Sequence, residues 1–307
     1  MGRNFDFEPR TLTHFLAVYE NGCFSRAADH VSLTQPALSN SIQQLEKRLG
    51  VKLFERGARG VKPTVYGDSF YQRTKIVRAE LQSALEEIHA LQECSVGAVN
   101  IGVGPSVLDI ITRVIQKTIT AHPTLKITLT EGPEETLYSG IRSGELDLVI
   151  STVSKKETES ELSHEIVFTN PTVPIVRKGH PLLKSRATGW AALKKYPWVV
   201  ADMQLEPGGK DIFSALSKSQ PPSMITTNSS AFMKTLASNS DFVAFMPHTL
   251  ASSGGFEGRL EIVGAKKGLY RTDIGITSRT NSFLSPAGKL VIDEFRLICR
   301  ELKLKPF

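Results

Sequence analysis

The feature that most constrains this chain is a heptad repeat that follows Thr64 and runs almost to Cys94. Alternating steps of four and three residues place its members on one stripe of an α-helix. The stripe could pack on its own domain or on a second copy of the chain. We favour a dimerising helix, because no partner element lies nearby in sequence and the other positions are polar. The members of the repeat are Phe70, Thr74, Val77, Leu81, Ala84, Ile88 and Leu91.

The repeat predicts a linker helix over 66–95, between an N-terminal domain (1–65) and a C-terminal domain (96–307). The 307 residues suffice for about two domains of ordinary size, besides the linker. A content of 40% hydrophobic and 22% charged residues is typical of a soluble globular protein. Three scattered cysteines predict neither a disulfide framework nor a metal cluster. With no apolar stretch of spanning length and no apolar leader, we expect a cytoplasmic protein without a membrane partner.

Capping residues and turns divide the N-terminal domain into three helices. Pro9 opens the first helix, which stops at Asn21-Gly22, and Ser25 is predicted to cap the second. Thr34 caps the third helix, which Gly50 ends and whose apolar face carries Leu38, Ile42, Leu45 and Leu49. Two helices joined by about three residues, the second of them amphipathic, form a helix-turn-helix.

A short basic hairpin is predicted to follow the third helix. Residues 52–54 can pair with 61–62 around a tip that holds Arg56 and Arg59. Residues 26–62 contain seven basic and three acidic residues, a local net charge of +4 within a chain of net charge +6. A basic surface of this kind suits a polyanionic partner, although ordinary solubilising charge explains each arginine almost as well.

The C-terminal domain alternates short apolar runs with helical patterns, which indicates an α/β fold. Strands are predicted at 99–103, 126–131 and 147–151, separated by helices to 121 and at 134–143. We expect two lobes, about 97–170 with 274–307 and about 171–273, joined by crossings near 169–172 and 272–275. Further strands are predicted at 164–169, 172–177, 197–201, 223–227, 242–246, 259–263 and 271–278, and further helices near 208–218, 229–238 and 285–303.

The residues around the third helix suit double-stranded DNA. The major groove admits one helix, whose first residues reach base edges and whose amide side chains can pair with adenine. A solvated polar helix face is the alternative, and for Gln43 alone it would be preferred. The candidate base-reading residues are Thr34, Gln35, Ser39, Asn40 and Gln43, and the candidate backbone-binding residues of the hairpin are Arg56 and Arg59.

The run SLTQPALS at 32–39, with Leu45-Glu46 and the LFER segment at 53–56, resembles the winged helix-turn-helix of LysR-type transcriptional regulators. Asn40 and Pro63 depart from that family's usual residues, which bears on the operator and on the path of the wing. The resemblance implies a dimer of dimers on a pseudo-palindromic promoter site. It also implies a two-lobed effector domain resembling periplasmic binding proteins. The inducer would lie between the lobes, where the corresponding residues are Ser106, Thr152, Asp202, Asn228, Ser229 and Phe245.

The chain lacks sequence motifs for catalysis, so we expect no enzyme, no catalytic residues, no cofactor and no metal. The glycines at 102–104 are a weak dinucleotide signal, because the third glycine is missing. Ser106 and Ser229 could simply cap helices. The hydroxyls and amides of the cleft candidates favour a small organic or aromatic acid as the effector. The leading hypothesis is an inducer-responsive regulator in the cytoplasm, at the nucleoid, and the alternative is a small-molecule-binding protein or enzyme with a DNA-binding tether.

Overall fold

A computed structural model describes residues 8–57, 60–92, 97–153, 161–184, 190–201, 221–252, 258–263, 270–280, 282 and 284–305. The chain divides into two compact units. The N-terminal unit comprises Met1–His89 with Arg142–Glu145, and the C-terminal unit comprises Ala90–Ile141 with Leu146–Phe307. Among the described residues, no helix is long and apolar enough to cross a membrane.

The N-terminal unit begins with three helices around one apolar core. Gly22 and Gly50 end the first and third helices in the left-handed conformation (φ 61° and 73°), which glycine adopts without a Cβ clash. The predicted ends of these two helices are therefore confirmed. The elements are α1 (Pro9–Asn21), α2 (Phe24–His30), α3 (Gln35–Leu49), β1 (Phe54–Gly57), β2 (Gly60–Pro63) and α4 (Val65–Gln92).

Two local predictions in this unit are wrong. Ser25 does not cap α2, because Cys23 occupies the N-cap position and Ser25 lies in the first turn, where its hydroxyl donates to Gln35 Oε1 (3.0 Å). Strand pairing begins at Phe54, opposite Pro63, and not at Lys52. The reason is that the Leu53 amide donates to the carboxylate of Glu46 (2.9 Å), a partner outside the hairpin.

The linker helix α4 is continuous over 28 residues. Its first turns belong to the core of the N-terminal unit: the Phe70 ring lies 4.9 Å from that of Phe15, and Thr74 is buried. Farther along the same stripe, Val77, Leu81 and Ile88 are between 44% and 52% exposed. The heptad stripe therefore has a packed beginning and an exposed continuation in the single chain.

The C-terminal unit is built on one sheet. Its described strands are β3 (Ala98–Val103), β4 (Lys126–Glu131), β5 (Leu148–Val153), β6 (Leu162–Arg177), β7 (Trp198–Ala201), β8 (Met224–Thr227), β9 (Val243–Pro247), β10 (Leu260–Ile262) and β11 (Tyr270–Arg279). They follow the order β4-β3-β5-β11-β6-β9-β7-β8, with β10 paired to the end of β6. β3 runs parallel to β4 and β5, and β7 runs parallel to β8 and β9.

Helices cover both faces of this sheet and pack on it through four apolar clusters. The predicted helix at 208–218 lies outside the described residues. The helices are a 3-10 turn (Pro105–Val107), α5 (Leu108–Ala121), α6 (Glu134–Ser143), α7 (Pro181–Lys184), α8 (Trp190–Leu193), α9 (Ser230–Asn239), α10 (His248–Ala251) and α11 (Pro286–Glu301).

The prediction of a break between two strands near residue 171 is wrong. The two strands expected at 164–169 and 172–177 are the single strand β6. Pro171 suggested a break, but it pairs in register with Arg271 of β11, and a proline is tolerated where the ladder does not use its missing N–H. β6 and β11 therefore run through both halves of the sheet and join them.

Candidate nucleic-acid interface and effector site

The third helix presents a polar face opposite a largely buried apolar one. Thr34 has extended backbone angles and its hydroxyl accepts the Ala37 amide (3.4 Å), which confirms it as the N-cap of α3. Leu38 and Ile42 are 0% and 2% exposed and hold the helix against α1 and α2. Of the candidate base-reading residues, Ser39 is half-buried and the others are exposed: Thr34, Gln35, Asn40 and Gln43.

Two side-chain hydrogen bonds position the start and the middle of α3. Ser25 of α2 donates to Gln35 Oε1, which leaves the amide NH₂ as the group of Gln35 that can donate to a base. His14 Nδ1 of α1 lies 2.8 Å from Ser41 Oγ of α3. Burial, with a smaller effect of Arg10, lowers the pKa of His14, so the neutral imidazole is favoured in this bond. The polar face of α3 is thereby tied to both preceding helices.

The hairpin after α3 supplies the predicted wing. Arg56 lies in β1 opposite Val61, but its side chain and the whole of Arg59 lie outside the described residues. Lys62 is exposed and pairs across the strands with Glu55. The charge of Lys62 is thus partly offset within the hairpin.

Sequence reasoning missed Glu46, which connects α3 to the wing. Its side chain is nearly buried, and its carboxylate accepts the amides of Leu53 (2.9 Å) and Phe54 (3.2 Å) and the ammonium of Lys52 (2.6 Å). A carboxylate buried with three donors is satisfied, and it fixes the base of β1. The available signal was the position of an acid four residues after Ile42, on the apolar face.

In the C-terminal unit, strand ends meet at the middle of β6. β5 ends at Val153, which pairs with Asp273, itself opposite Thr169 of β6. β9 runs the other way and ends at Pro247, opposite Thr172. The carboxyl ends of strands from both halves of the sheet therefore point toward the same place, the arrangement in which open α/β sheets bind ligands.

Ser106 and Thr152 lie on the side of this meeting point that β3 and β5 form. Ser106 follows β3 and Thr152 is the second-last residue of β5, and these two strands are adjacent and parallel. Both residues are half-buried. The Ser106 carbonyl accepts the hydroxyl of Thr249, which follows β9, so the two halves of the sheet are already in contact at this residue.

Sequence reasoning missed Asn170, which lies at the centre of the meeting point. Asn170 is 1% exposed, donates to Thr249 Oγ1 (2.8 Å) and accepts the Thr249 amide (3.3 Å), while Thr272 donates to its carbonyl. Periodicity could not reveal this set, because Asn170 and Thr249 are 79 residues apart.

The remaining effector candidates are placed less uniformly. Asn228 and Ser229 are exposed at the start of α9, and Ser229 Oγ accepts the Phe232 amide (3.2 Å) as an N-cap. Asp202 lies outside the described residues. Phe245 is a correction: its side chain is 0% exposed and packs 4.6 Å from the Trp198 ring in an apolar cluster, so it stabilises the sheet and cannot contact a ligand.

Lys234 is a nearly buried cation one turn into α9. Burial lowers the pKa of its ammonium, and the carboxylate of Asp109, in the first turn of α5, acts in the opposite direction. Among the described residues, no group of three or more His, Cys, Asp or Glu side chains is placed to hold a metal ion.

Comparisons with known proteins agree with this architecture. Residues 9–68 match the model for bacterial regulatory helix-turn-helix proteins of the lysR family, and residues 94–299 match the LysR substrate binding domain. The chain is 29% identical to the SDS degradation transcriptional activation protein of Pseudomonas sp. over 292 residues, which are 93% of this chain and 95% of that one.

A second relative is the HTH-type transcriptional regulator YdcI of Escherichia coli, which is 28% identical over 94% of both chains. The fold resembles that of full-length CbnR complexed with its target DNA, with a TM-score of 0.66, 17% identity, and coverage of 95% of this chain and 100% of that one. The chain therefore belongs to the LysR family: it is a DNA-binding transcriptional regulator with a substrate-binding domain for an effector.

Proposed function

We propose that the exposed polar face of α3 reads a pseudo-palindromic promoter site, with the wing on the adjacent DNA backbone. The observation that carries this proposal is a capped helix whose apolar residues are buried and whose polar candidates are largely exposed. Base choice rests on the uncharged side chains of Thr34, Gln35, Ser39, Asn40 and Gln43, while Arg56 and Arg59 of the wing contact phosphates. Because the target is promoter DNA, the protein acts in the cytoplasm, at the nucleoid.

Pairing of two α4 helices brings a second N-terminal domain, and with it a second α3, to the same DNA site. Four exposed apolar residues of this helix, Val77, Leu81, Leu85 and Ile88, form a strip that a second copy would cover. Burying such side chains removes apolar surface from water, which favours association. The functional parts are then the head (1–65), the linker (66–95) and the effector domain (96–307), assembled as a dimer of dimers. Sedimentation of wild type beside Leu81→Glu tests the pairing: we expect the variant to lose the dimer, and an unchanged assembly would contradict it.

The effector binds where the strand ends of the C-terminal unit meet, between a lobe of about 97–170 with 274–307 and one of about 171–273. The binding set comprises Ser106, Thr152, Asn228 and Ser229, with Asp202 as a further candidate. Hydroxyl donors and the ammonium of Lys234 in this domain favour a small organic or aromatic acid. Its binding changes the geometry of the assembly on DNA.

Footprinting on the promoter region of its own gene tests the DNA contacts. Gln43→Ala should weaken protection by about 1–3 kcal/mol, because an amide pair to a base is lost. Gln116→Ala, an exposed glutamine of α5, is the matched control and should bind like wild type. Affinity should fall steeply with salt, because the +4 segment releases counterions from DNA. Equal behaviour of both variants would contradict the assigned reading face.

Thermal shift with simple carboxylic and aromatic acids tests the effector class. We expect one or more acids to raise the melting temperature of the C-terminal unit, and their uncharged amides to have no effect. Ser106→Ala and Thr152→Ala should reduce the shift. Stabilisation by the amides alone would contradict an anionic effector.

A further inference from the structure

We propose that a cluster of side chains between α1 and α4, here called the clamp, sets the separation of half-sites that this regulator prefers. The clamp is a positioning device and touches no DNA itself. The inference rests on the dimer proposed above, because only a pair of heads has a separation. The residues of the clamp are Tyr19 and Glu20 on α1 and Asp68, Tyr71, Lys75 and Arg78 on α4.

The clamp joins the last turn of α1 to the first four turns of α4. The rings of Tyr19 and Tyr71 are stacked, with centroids 3.7 Å apart and planes inclined by 8°. The Tyr19 hydroxyl donates to Asp68 Oδ1 (2.7 Å), and the Tyr71 hydroxyl donates to Glu20 Oε1 (3.4 Å). Arg78 also reaches Glu20 (3.4 Å), and Lys75 Nζ lies 5.5 Å from the centroid of the Tyr71 ring.

These contacts form a second stripe on α4, beside the heptad stripe. Asp68, Tyr71, Lys75 and Arg78 follow each other by three, four and three residues, the same steps as the heptad positions but displaced by one residue. One residue corresponds to a rotation of about 100° around a helix. The helix therefore offers the apolar stripe to a second copy while the clamp holds the helix against its own α1.

The position of α1 determines the position of the reading helix. Phe15 and Leu16 of α1 pack in one core with Leu38 and Ile42 of α3, and His14 lies 2.8 Å from Ser41. Since α1 and α3 are packed together, the angle between the reading helix and the dimer stripe depends on how α1 meets α4. In a two-fold dimer this angle fixes the distance between the two reading helices, and hence the half-site spacing.

Two kinds of contact hold α1 to α4, and they constrain different movements. The Phe15–Phe70 contact in the core keeps the helices together, whereas the parallel rings of Tyr19 and Tyr71 at the periphery resist rotation of one helix against the other. Exposed ion pairs and hydrogen bonds contribute little to stability. Burial and the Asp68 hydrogen bond raise the pKa of Tyr19 to about 12, so the phenol remains a donor throughout the working pH range. Loss of the clamp should therefore loosen the angle while the fold is retained.

The test uses a duplex that the wild-type protein selects from a random pool, from which two series are made. One series lengthens or shortens the distance between the half-sites in single-base-pair steps, and the other keeps one half-site only. Tyr71→Ala removes the stack, and Tyr71→Phe keeps the ring. Tyr66→Ala, which alters an exposed tyrosine on the same helix outside the clamp, is the matched control.

We expect wild type, Tyr71→Phe and Tyr66→Ala to favour one separation by about tenfold over its neighbours, which corresponds to about 1.4 kcal/mol. Tyr71→Ala should bind the single half-site normally. Its affinity for the preferred separation should exceed that for the neighbouring separations by less than about threefold. If Tyr71→Ala preferred one separation as strongly as wild type does, the proposal would be overturned. An equal loss of affinity by Tyr71→Ala at every separation would overturn it too. If Tyr71→Ala unfolds the head, Tyr71→Leu and Tyr19→Leu take its place. They are assessed by the same quantity, the affinity for the preferred separation divided by the affinity for the neighbouring separations.

Sedimentation of the same samples separates this proposal from the one on which it rests. A monomeric wild type that shows no preferred separation would refute the dimer and, with it, the clamp. A dimeric wild type with a preferred separation that Tyr71→Ala leaves unchanged would refute the clamp alone.

Discussion

The proposed reading helix α3 of the N-terminal unit and the proposed effector region of the C-terminal unit expose their polar groups differently. On α3, Asn40 and Gln43 stand in solvent above a buried apolar face. In the effector region, Thr249 hydrogen-bonds to Asn170 and Ser106, and Ser229 caps its own helix. On the proposed function, DNA would meet a preformed surface, whereas an effector would have to compete with hydrogen bonds inside the protein or add to them.

The largest effect should come from the core beneath the reading face. Leu38→Ala removes a side chain that is 0% exposed, and we expect the N-terminal unit to lose about 2–5 kcal/mol and its DNA binding. Both tryptophans of the chain, Trp190 and Trp198, belong to the C-terminal unit, so their fluorescence should keep its unfolding midpoint while circular dichroism shows an earlier transition. Coincident shifts in both signals would show that the two units do not unfold independently.

Next in size is the buried carboxylate that joins α3 to the wing. Glu46→Ala leaves the amides of Leu53 and Phe54 without their acceptor, and we expect a loss of about 3 kcal/mol in the free energy of unfolding. Lys52→Ala is the control, because the Lys52 side chain is 72% exposed and its ion pair should contribute less than about 1 kcal/mol. Equal losses measured by denaturant titration would assign the effect to the ion pair.

A smaller effect distinguishes capping from ligand binding in the C-terminal unit. Ser229→Ala should destabilise this unit by about 1 kcal/mol without any ligand, because α9 loses its N-cap, and Ser229→Asp should restore the stability. Tryptophan fluorescence in urea measures both variants. If Ser229→Ala were neutral for stability yet lost an effector response, the residue would serve the ligand alone.

A titration tests the Tyr19 hydrogen bond. Because the pKa of Tyr19 is raised to about 12, the folded state favours the neutral phenol. This contribution to stability is fully present below pH 10, the ordinary pKa of tyrosine, and is lost as the pH rises through about 12. Burial also raises the pKa of Tyr71, so ultraviolet difference absorbance should show a late-ionising amplitude to which both tyrosines contribute, and Tyr19→Phe should reduce that amplitude. A late amplitude that Tyr19→Phe leaves undiminished would contradict the assignment.

The smallest perturbation is thiol alkylation, which compares the two units without a substitution. Burial raises the pKa of the Cys299 thiol to about 12, whereas hydrogen bonds from the backbone of Arg26 and Ser25 lower that of Cys23. Iodoacetamide at neutral pH should therefore label Cys23 well before Cys299, as peptide mass spectrometry would show. The opposite order would mean that α11 opens more readily than the start of α2.

Local patterns predicted the ends of α3 and its buried and exposed faces closely. The N-cap Thr34, the terminal Gly50 and the buried Leu38 and Ile42 all follow from contacts within a few residues along the chain. The predicted effector set followed strand ends without knowing which side chains the sheet would bury. Phe245 shows the difference: it was predicted at a strand end, but it is the middle residue of β9, and its ring packs in the core beside Trp198.

The sequence by itself determined the helices of the head, the long linker helix and most strands, because caps and periodicity act between residues that are neighbours along the chain. Only the tertiary structure decided that β6 continues through Pro171, that Glu46 binds the base of the wing, and that Asn170 meets Thr249. It also decided that Tyr19 stacks on Tyr71, although the two are far apart in sequence. The physical reason is that these contacts satisfy polar groups or pack rings across distant segments, and only the finished packing brings such segments together.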